Sequence, residues 1–435
     1  MRFSLVVASA VVCSCLSTVG QEGMFRGNPQ HSGVYDAGGV PKFNKLKWSF
    51  HTGGMVIGSP TVTGGIVYVG SNDGNFYAID ANTGKQKWKF AAKSRVPSTP
   101  AVAGEMLYFT AYDGNLYALD TGSGQLKWKF QTGGERRFAA KHLHGVQPVN
   151  ETMPDPFDCF LSSPVVWNGA VFFGSGDGNI YSVNATTGTL NWKFKTGDVV
   201  HASPAIADGI LYIGSWDSYF YALDAATGKE RWRFKTGEDQ EIHNQVGIQS
   251  SAVVADGMVF FGCRDSHLYA LEARTGEKKW AYSGNGSWII SSPAVKDGKV
   301  YFDTSDTSLV IVADANSGAV LHSFNLNHWY LYSSPAVAGG MMYLGSTQGK
   351  LVGLDLNGFT PVWTFETDGM KQHGAMYTKA DGSPDMLTIF RSDFYDDMVA
   401  GVDRVMSMGS ILGAPVVIGN EIYFGSADGN VYALM

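Results

Sequence analysis

The sequence predicts an all-β protein: an eight-bladed β-propeller of four-stranded antiparallel blades, closed by pairing of N-terminal and C-terminal strands. Three observations carry that expectation. A unit recurs at intervals of roughly 40 residues, the range of propeller blades. Each unit alternates short β-branched and aromatic runs with tight-turn residues. A tryptophan returns at one fixed place near the end of most units.

A Ser-Pro-like step opens each unit: Ser59-Pro60, Thr99-Pro100, Ser163-Pro164, Ser203-Pro204, Ser251-Ala252, Ser292-Pro293, Ser334-Pro335 and Ala414-Pro415. Strand signals follow, as in Ile66-Val67-Tyr68-Val69 and Asn75-Phe76-Tyr77-Ala78-Ile79. Between these runs sits Ser71-Asn72-Asp73-Gly74, a hairpin signal because glycine accepts the positive φ of a tight turn. The same dipeptide recurs at Asp113-Gly114, Asp177-Gly178 and Asp428-Gly429. Asn82-Thr83-Gly84 makes a second turn, and Lys87-Trp88-Lys89-Phe90 supplies the fourth strand. Its tryptophan returns as Trp128, Trp192, Trp232, Trp280 and Trp363, with His322 in its place in the sixth unit. A lone four-stranded meander cannot bury both faces, so units stack and the large ring wedges between neighbours. The last unit stops after its third strand at Ala433-Leu434-Met435, while Lys47-Trp48-Ser49-Phe50 is an orphan fourth strand. Joined, the two ends complete one blade and remove two open sheet edges.

Composition sets the class. With 44% apolar and 16% charged residues, the 435-residue chain is globular. A net charge of −7 and the lack of a basic run argue against nucleic acid as a partner. Residues 1–20 read as a signal peptide, with Arg2 followed by the apolar run Phe3 to Val12. That run is too short to span a bilayer, and no other stretch is a transmembrane candidate. Cleavage before Gln21 gives a periplasmic or secreted protein; lipidation of Cys15 gives one anchored at the outer membrane. Residues 21–44 form an N-terminal extension and 45–435 the propeller. Cys159 and Cys263 remain, able to pair in an oxidising compartment or to persist as buried free thiols.

Function is sought where the repetition breaks. Residues 133–161 and 366–410 are enlarged blade-to-blade connections. Both join a fourth strand to a first strand, so both project from one face. The first contains Gly134-Glu135-Arg136-Arg137-Phe138 and Lys141-His142-Leu143-His144, then Met153 to Cys159. Cations followed by carboxylates can bind an anionic ligand, hold a metal or pair with each other, and internal pairing is the commoner use. His201, His243, His328 and His373 also fall in connections, without metal-site spacing. The candidates for a ligand or partner on this face are Arg136, Arg137, Lys141, His142, His144, Asn244, Trp288 and Trp329. Trp288, Trp329, Tyr330 and Tyr332 precede first strands and are placed to line or pack the mouth of the central channel. No nucleophile elbow, P-loop or zincin motif occurs, and no catalytic or metal residue is assigned.

The unit Gly-Ser-x-Asp-x-x-x-Tyr-Ala-Leu-Asp-x-x-Thr-Gly-x-x-x-Trp, complete from Gly214 to Trp232, resembles the pyrroloquinoline quinone (PQQ) repeat with its tryptophan-docking motif. The resemblance runs from about residue 45 to the end. That family includes quinoprotein dehydrogenases and non-enzymatic BamB-like propellers. Resemblance to the latter implies a scaffold that binds envelope or outer-membrane proteins through its loop-rich face, without catalysis or cofactor. Resemblance to the former implies PQQ and calcium, a tryptophan floor, acidic and amide calcium ligands, an aspartate base, and alcohols or sugars as substrates. Arg136, Asn244, Asp155 and Trp288 match those residue types. The adjacent cysteine pair, a cytochrome attachment motif and the extra length of those enzymes are missing, and the scaffold reading is preferred.

Overall fold

A computed structural model describes residues 23–239 and 241–435; the leader at 1–20, with Cys15 and the cleavage position before Gln21, lies outside the described residues. Seven blades follow in order at residues 61–91, 101–131, 165–195, 205–235, 253–283, 294–325 and 336–366. The eighth joins Val416–Ile418, Glu421–Gly425 and Asn430–Leu434 to Leu46–His51 as its outer strand. Trp48 lies opposite Ala433 and Phe50 opposite Val431, so the two ends of the chain close the ring as expected. Second and third strands are buried almost throughout, whereas fourth strands alternate exposed and half-buried residues. The core is therefore a set of apolar layers between blades, each made by residues from two neighbours.

The recurring tryptophan holds those layers in register. Trp192 donates its indole N–H to Ala225 O of the next blade at 3.0 Å, and its ring faces Gly228. Gly228 has φ +70°, and a Cβ there would sit 2.6 Å from the ring, so both the turn and the close approach require glycine. The same bond recurs from Trp48, Trp88, Trp128, Trp232 and Trp280 at 2.8–3.2 Å. The junction of the sixth and seventh blades departs on both sides at once. His322 occupies the tryptophan position and Phe359 the facing glycine position; the two rings stack with centroids 5.2 Å apart. A smaller ring on one blade is matched by a larger side chain on the next.

The Ser-Pro steps have a shared task. Each serine or threonine hydroxyl accepts the N–H of the preceding blade's counterpart, from Ser59→Thr99 round to Ser292→Ser334, at 2.8–3.0 Å. This girdle of hydrogen bonds is open at the eighth blade, where Ala414 has no hydroxyl and the buried Ser59 Oγ has no partner among the described residues. Ala414→Ser should give the Ser334 N–H an acceptor and raise the unfolding free energy by about 1 kcal/mol. Urea denaturation reads this as a higher midpoint; an unchanged or lower midpoint would refute it.

The N-terminal extension lies against the innermost strands. Its carbonyls at Gly23, Pro29, Gln30, Ser32 and Gly33 accept N–H bonds from Val102, Ile206, Val254, Val295 and Val337 in five different blades. Val34–Tyr35 adds a parallel strand to the seventh blade. Buried Arg26 donates to Pro335 O at 2.8 Å and Pro293 O at 2.7 Å, and Phe25 lines the central cavity. The extension thus forms a floor across the channel. Cys159 and Cys263 are buried free thiols. No helix among the described residues is long and apolar enough to cross a membrane.

Candidate functional site

The second-to-third hairpins bring variable side chains to the axis. In Gly-Ser-x-Asp, the x residue donates its N–H to the connection before it: Asn72 to Met55, Trp216 to Val199, Ser305 to Trp288, Thr347 to Tyr330, all at 2.8–3.0 Å. Arg264 makes the longer equivalent to Gly247 O at 3.4 Å. The motif's aspartate is usually consumed locally. Asp217 Oδ2 accepts the Tyr221 hydroxyl at 2.7 Å and Gly197 N–H at 2.6 Å. The tyrosine contact recurs at Asp73, Asp113, Asp177, Asp265 and Asp428. The backbone is therefore regular, and only the x side chains and the exceptions to this aspartate lock differ between blades.

Two connections close over the axis. The insertion at 133–161 carries a two-stranded hairpin, Ala139–Ala140 with Met153–Pro154. The insertion at 366–410 folds into α1 (Asp368–Tyr377), α2 (Met386–Ile389) and α3 (Tyr395–Ser407). Thr367 caps α1 by accepting the Met370 N–H, and Asp396 and Asp397 favour the α3 N-terminus. Met398, Val402 and Met406 recur every fourth residue and bury one face of α3. The insertions meet on the same face: Gln147 N–H donates to Asp393 O at 2.7 Å, and Tyr395 N–H to Gln147 O at 2.8 Å.

Beneath this cap lies a buried charge relay. Asp155 Oδ2 accepts Arg264 Nη1 at 2.7 Å and pairs with His144 Nε2 at 3.1 Å; His144 Nδ1 meets Asn244 Oδ1 at 2.9 Å. The guanidinium lies between the Trp216 and Trp288 rings, 4.8 and 3.8 Å from their centroids. Burial alone would raise the Asp155 pKa, but Arg264 and then His144 hold it well below the ordinary carboxylate range. A second network ties the same insertion to the ring. His201 pairs with Asp158 at 2.6 Å and Glu135 at 3.4 Å. Burial opposes the imidazolium, yet Asp158 and Glu135 outweigh it and push His201 up to about 10.

Next to the relay is a chamber of about 340 Å³. Trp288, Phe157, Tyr330 and Tyr332 form its aromatic walls, and Met386, Met398, Met406 and Met408 its roof. A polar vestibule of about 490 Å³ shares Asp306, Tyr330 and Pro384 with it.

Of the residues singled out from sequence, His144, Asn244 and Trp288 come together on the chamber wall. Arg136 instead pairs with Asp198 at 2.8 Å on the rim. Arg137 is half-buried near Tyr112 and Cys159; those groups and Asp158 raise its pKa against burial. Lys141 and His142 are exposed and line no part of the chamber. Trp329 faces Lys350 at 5.4 Å and lines a separate groove between blades. Arg264, Trp216 and Asp306 belong to the site but were not singled out. Their signal is position: all three fall in the repeated hairpin, two of them at the variable x.

Among the described residues, no group of three or more His, Cys, Asp or Glu side chains is placed to hold a metal. Among the described residues the chamber wall has no lysine or arginine, and Arg264 behind it is paired with Asp155. PQQ carries three carboxylates, and no lysine or arginine among the described lining residues is placed to pair with them.

A family profile described as outer membrane protein assembly factor BamB matches residues 43–150, 157–286 and 248–435. No curated protein matches the chain in sequence. Among solved structures, BamB from Moraxella catarrhalis is 16% identical with a TM-score of 0.65, covering 90% of this chain and 99% of that one. A europium-containing methanol dehydrogenase is 16% identical with a TM-score of 0.67, covering 94% and 91%. The quinohemoprotein alcohol dehydrogenase of Comamonas testosteroni is 13% identical with a TM-score of 0.67, covering 95% and 80%. At such identities these likenesses speak for the fold alone.

Proposed function

The chain belongs to the PQQ-repeat family of the outer membrane protein assembly factor BamB, and from that premise we propose that it is a protein-binding or assembly scaffold of the cell envelope, without catalysis. The supporting observation is the cap. Leu387 is 85% exposed, and Met376, Met386, Phe394 and Ile242 are also exposed on the cap and its neighbouring loop. Large apolar side chains gathered on a loop-rich face suit a protein partner. Its partners are envelope or outer-membrane proteins, and no cofactor is needed. In this reading residues 1–20 direct export, and the mature protein is periplasmic or anchored through Cys15.

The test is co-purification from envelope extracts. The protein should retain an outer-membrane assembly component, and Leu387→Asp with Phe394→Asp should reduce retention at least about tenfold, as expected when apolar anchors are lost. Equal retention by the variant, or stoichiometric binding of PQQ with calcium and dye reduction by alcohols, would sink this reading.

A further inference from the structure

The sixth blade frees a carboxylate that the other aspartate-bearing hairpins lock. Six blades hold the motif's aspartate with a tyrosine hydroxyl. In the sixth, Ile311 stands where that tyrosine would be, and Asp306 has only serine hydroxyls around it. Ser287 Oγ and Ser305 Oγ both donate to Asp306 Oδ1, the latter at 3.2 Å; Oδ2 has no partner among the described residues. Asp306 is exposed and stands where the chamber opens into the vestibule.

Its neighbours decide what it attracts. Among the described residues Asp306 is the only carboxylate lining the chamber and neither lysine nor arginine lines it, while His328, Lys379 and Asp381 line the adjoining vestibule. Trp288, Phe157, Tyr330 and Tyr332 offer ring faces, and the methionine sulfurs are polarizable. Aromatic faces around one carboxylate held only by serine hydroxyls attract a cation with apolar substituents and disfavour an anion. We propose that this chamber binds an apolar ammonium group, with Asp306 facing the charge and the aromatic and methionine walls holding the alkyl part. The volume suits a small ligand and a few convergent polar groups. The assignment is independent of the cap's exposed surface and of any protein partner held there.

Calorimetric titration of the full chain with hexyltrimethylammonium, 1-heptanol and heptanoate tests this. The ammonium ion should bind at least about tenfold more tightly than the alcohol, and heptanoate should not saturate. Asp306→Asn should abolish the preference for the cation while leaving alcohol binding within about twofold, and Asp306→Lys should turn the preference toward heptanoate. A blocked heptapeptide with one central lysine separates the two sources of this chemistry. Competition with hexyltrimethylammonium assigns the ammonium to a partner's side chain, and no competition assigns it to a free ion. Heptanoate binding as tightly as the cation, no binding by any probe, or an unchanged preference in folded Asp306→Asn would overturn the proposal.

Discussion

Asp155→Ala is expected to destabilise the protein by about 3–5 kcal/mol, because it leaves the Arg264 charge buried and unpaired. The context supports the upper part of that range. Arg264 and Asp155 side chains are both fully buried, and Arg264 Nε and Nη2 have no hydrogen-bond partners among the described residues. Asp155 Oδ1 also accepts the Phe157 N–H at 2.8 Å, so the substitution loosens the turn that places Phe157 in the chamber wall. Arg264→Met alone should also destabilise, since it strands the carboxylate. The double variant should lose less than the sum of the two. The pH dependence has a definite sign. The Asp155 pKa is depressed on folding, so its contribution is present above the ordinary value of 3.8 and is lost as pH falls through the lower folded value. The gap between wild type and Asp155→Ala in denaturation midpoint should therefore be full near neutrality and shrink below about pH 4. A gap under about 1 kcal/mol, or one that is constant with pH, would contradict the ion-pair account.

Trp192→Ala should cost about 3–5 kcal/mol, the range for removing a large packed ring, through lost packing against Gly228 and the lost bond to Ala225 O. The informative comparison is the exceptional pair. His322→Trp alone drives a larger ring into Phe359 and should destabilise by about 1–3 kcal/mol. Adding Phe359→Gly recreates the pairing used between the other blades and should restore most of that loss. Chemical denaturation of the two singles and the double measures the coupling. Additive effects would mean that the two replacements do not compensate each other.

The ring was legible because its devices are residue types at fixed spacing: the hairpin aspartate, the docking tryptophan, the orphan strand at Lys47 to Phe50. The floor was not, because Gly23, Pro29, Gln30, Ser32 and Gly33 act through backbone carbonyls, which no side-chain pattern announces. The cap helices had readable signals. Thr367 before α1, and Met398, Val402 and Met406 at fourfold spacing, mark helix start and helix face. They fall in a connection between blades, outside the repeated unit whose strand signals dominate the sequence. For the site, charge was a poor guide. Arg136, Lys141 and His142 were prominent in sequence and lie at the rim or outside. Arg264 and Asp306 sit inside the repeated text, and only comparison of equivalent hairpin positions distinguishes them. His144, Asn244 and Trp288 come from connections whose convergence depends on tertiary contacts between different insertions.

The blade shared by both termini also sets an order of events. Leu46–His51 is synthesised long before its partner Asn430–Leu434, with seven blades between them. All the intervening blades must be made before that pair can form, which gives ring closure a long-range, high-contact-order step. Until then a bare strand edge waits at each end of an arc of finished blades, open to pairing with another chain. Refolding at high protein concentration should therefore give more linked rings than refolding at low concentration, which size-exclusion chromatography reads as a larger share of high-mass species.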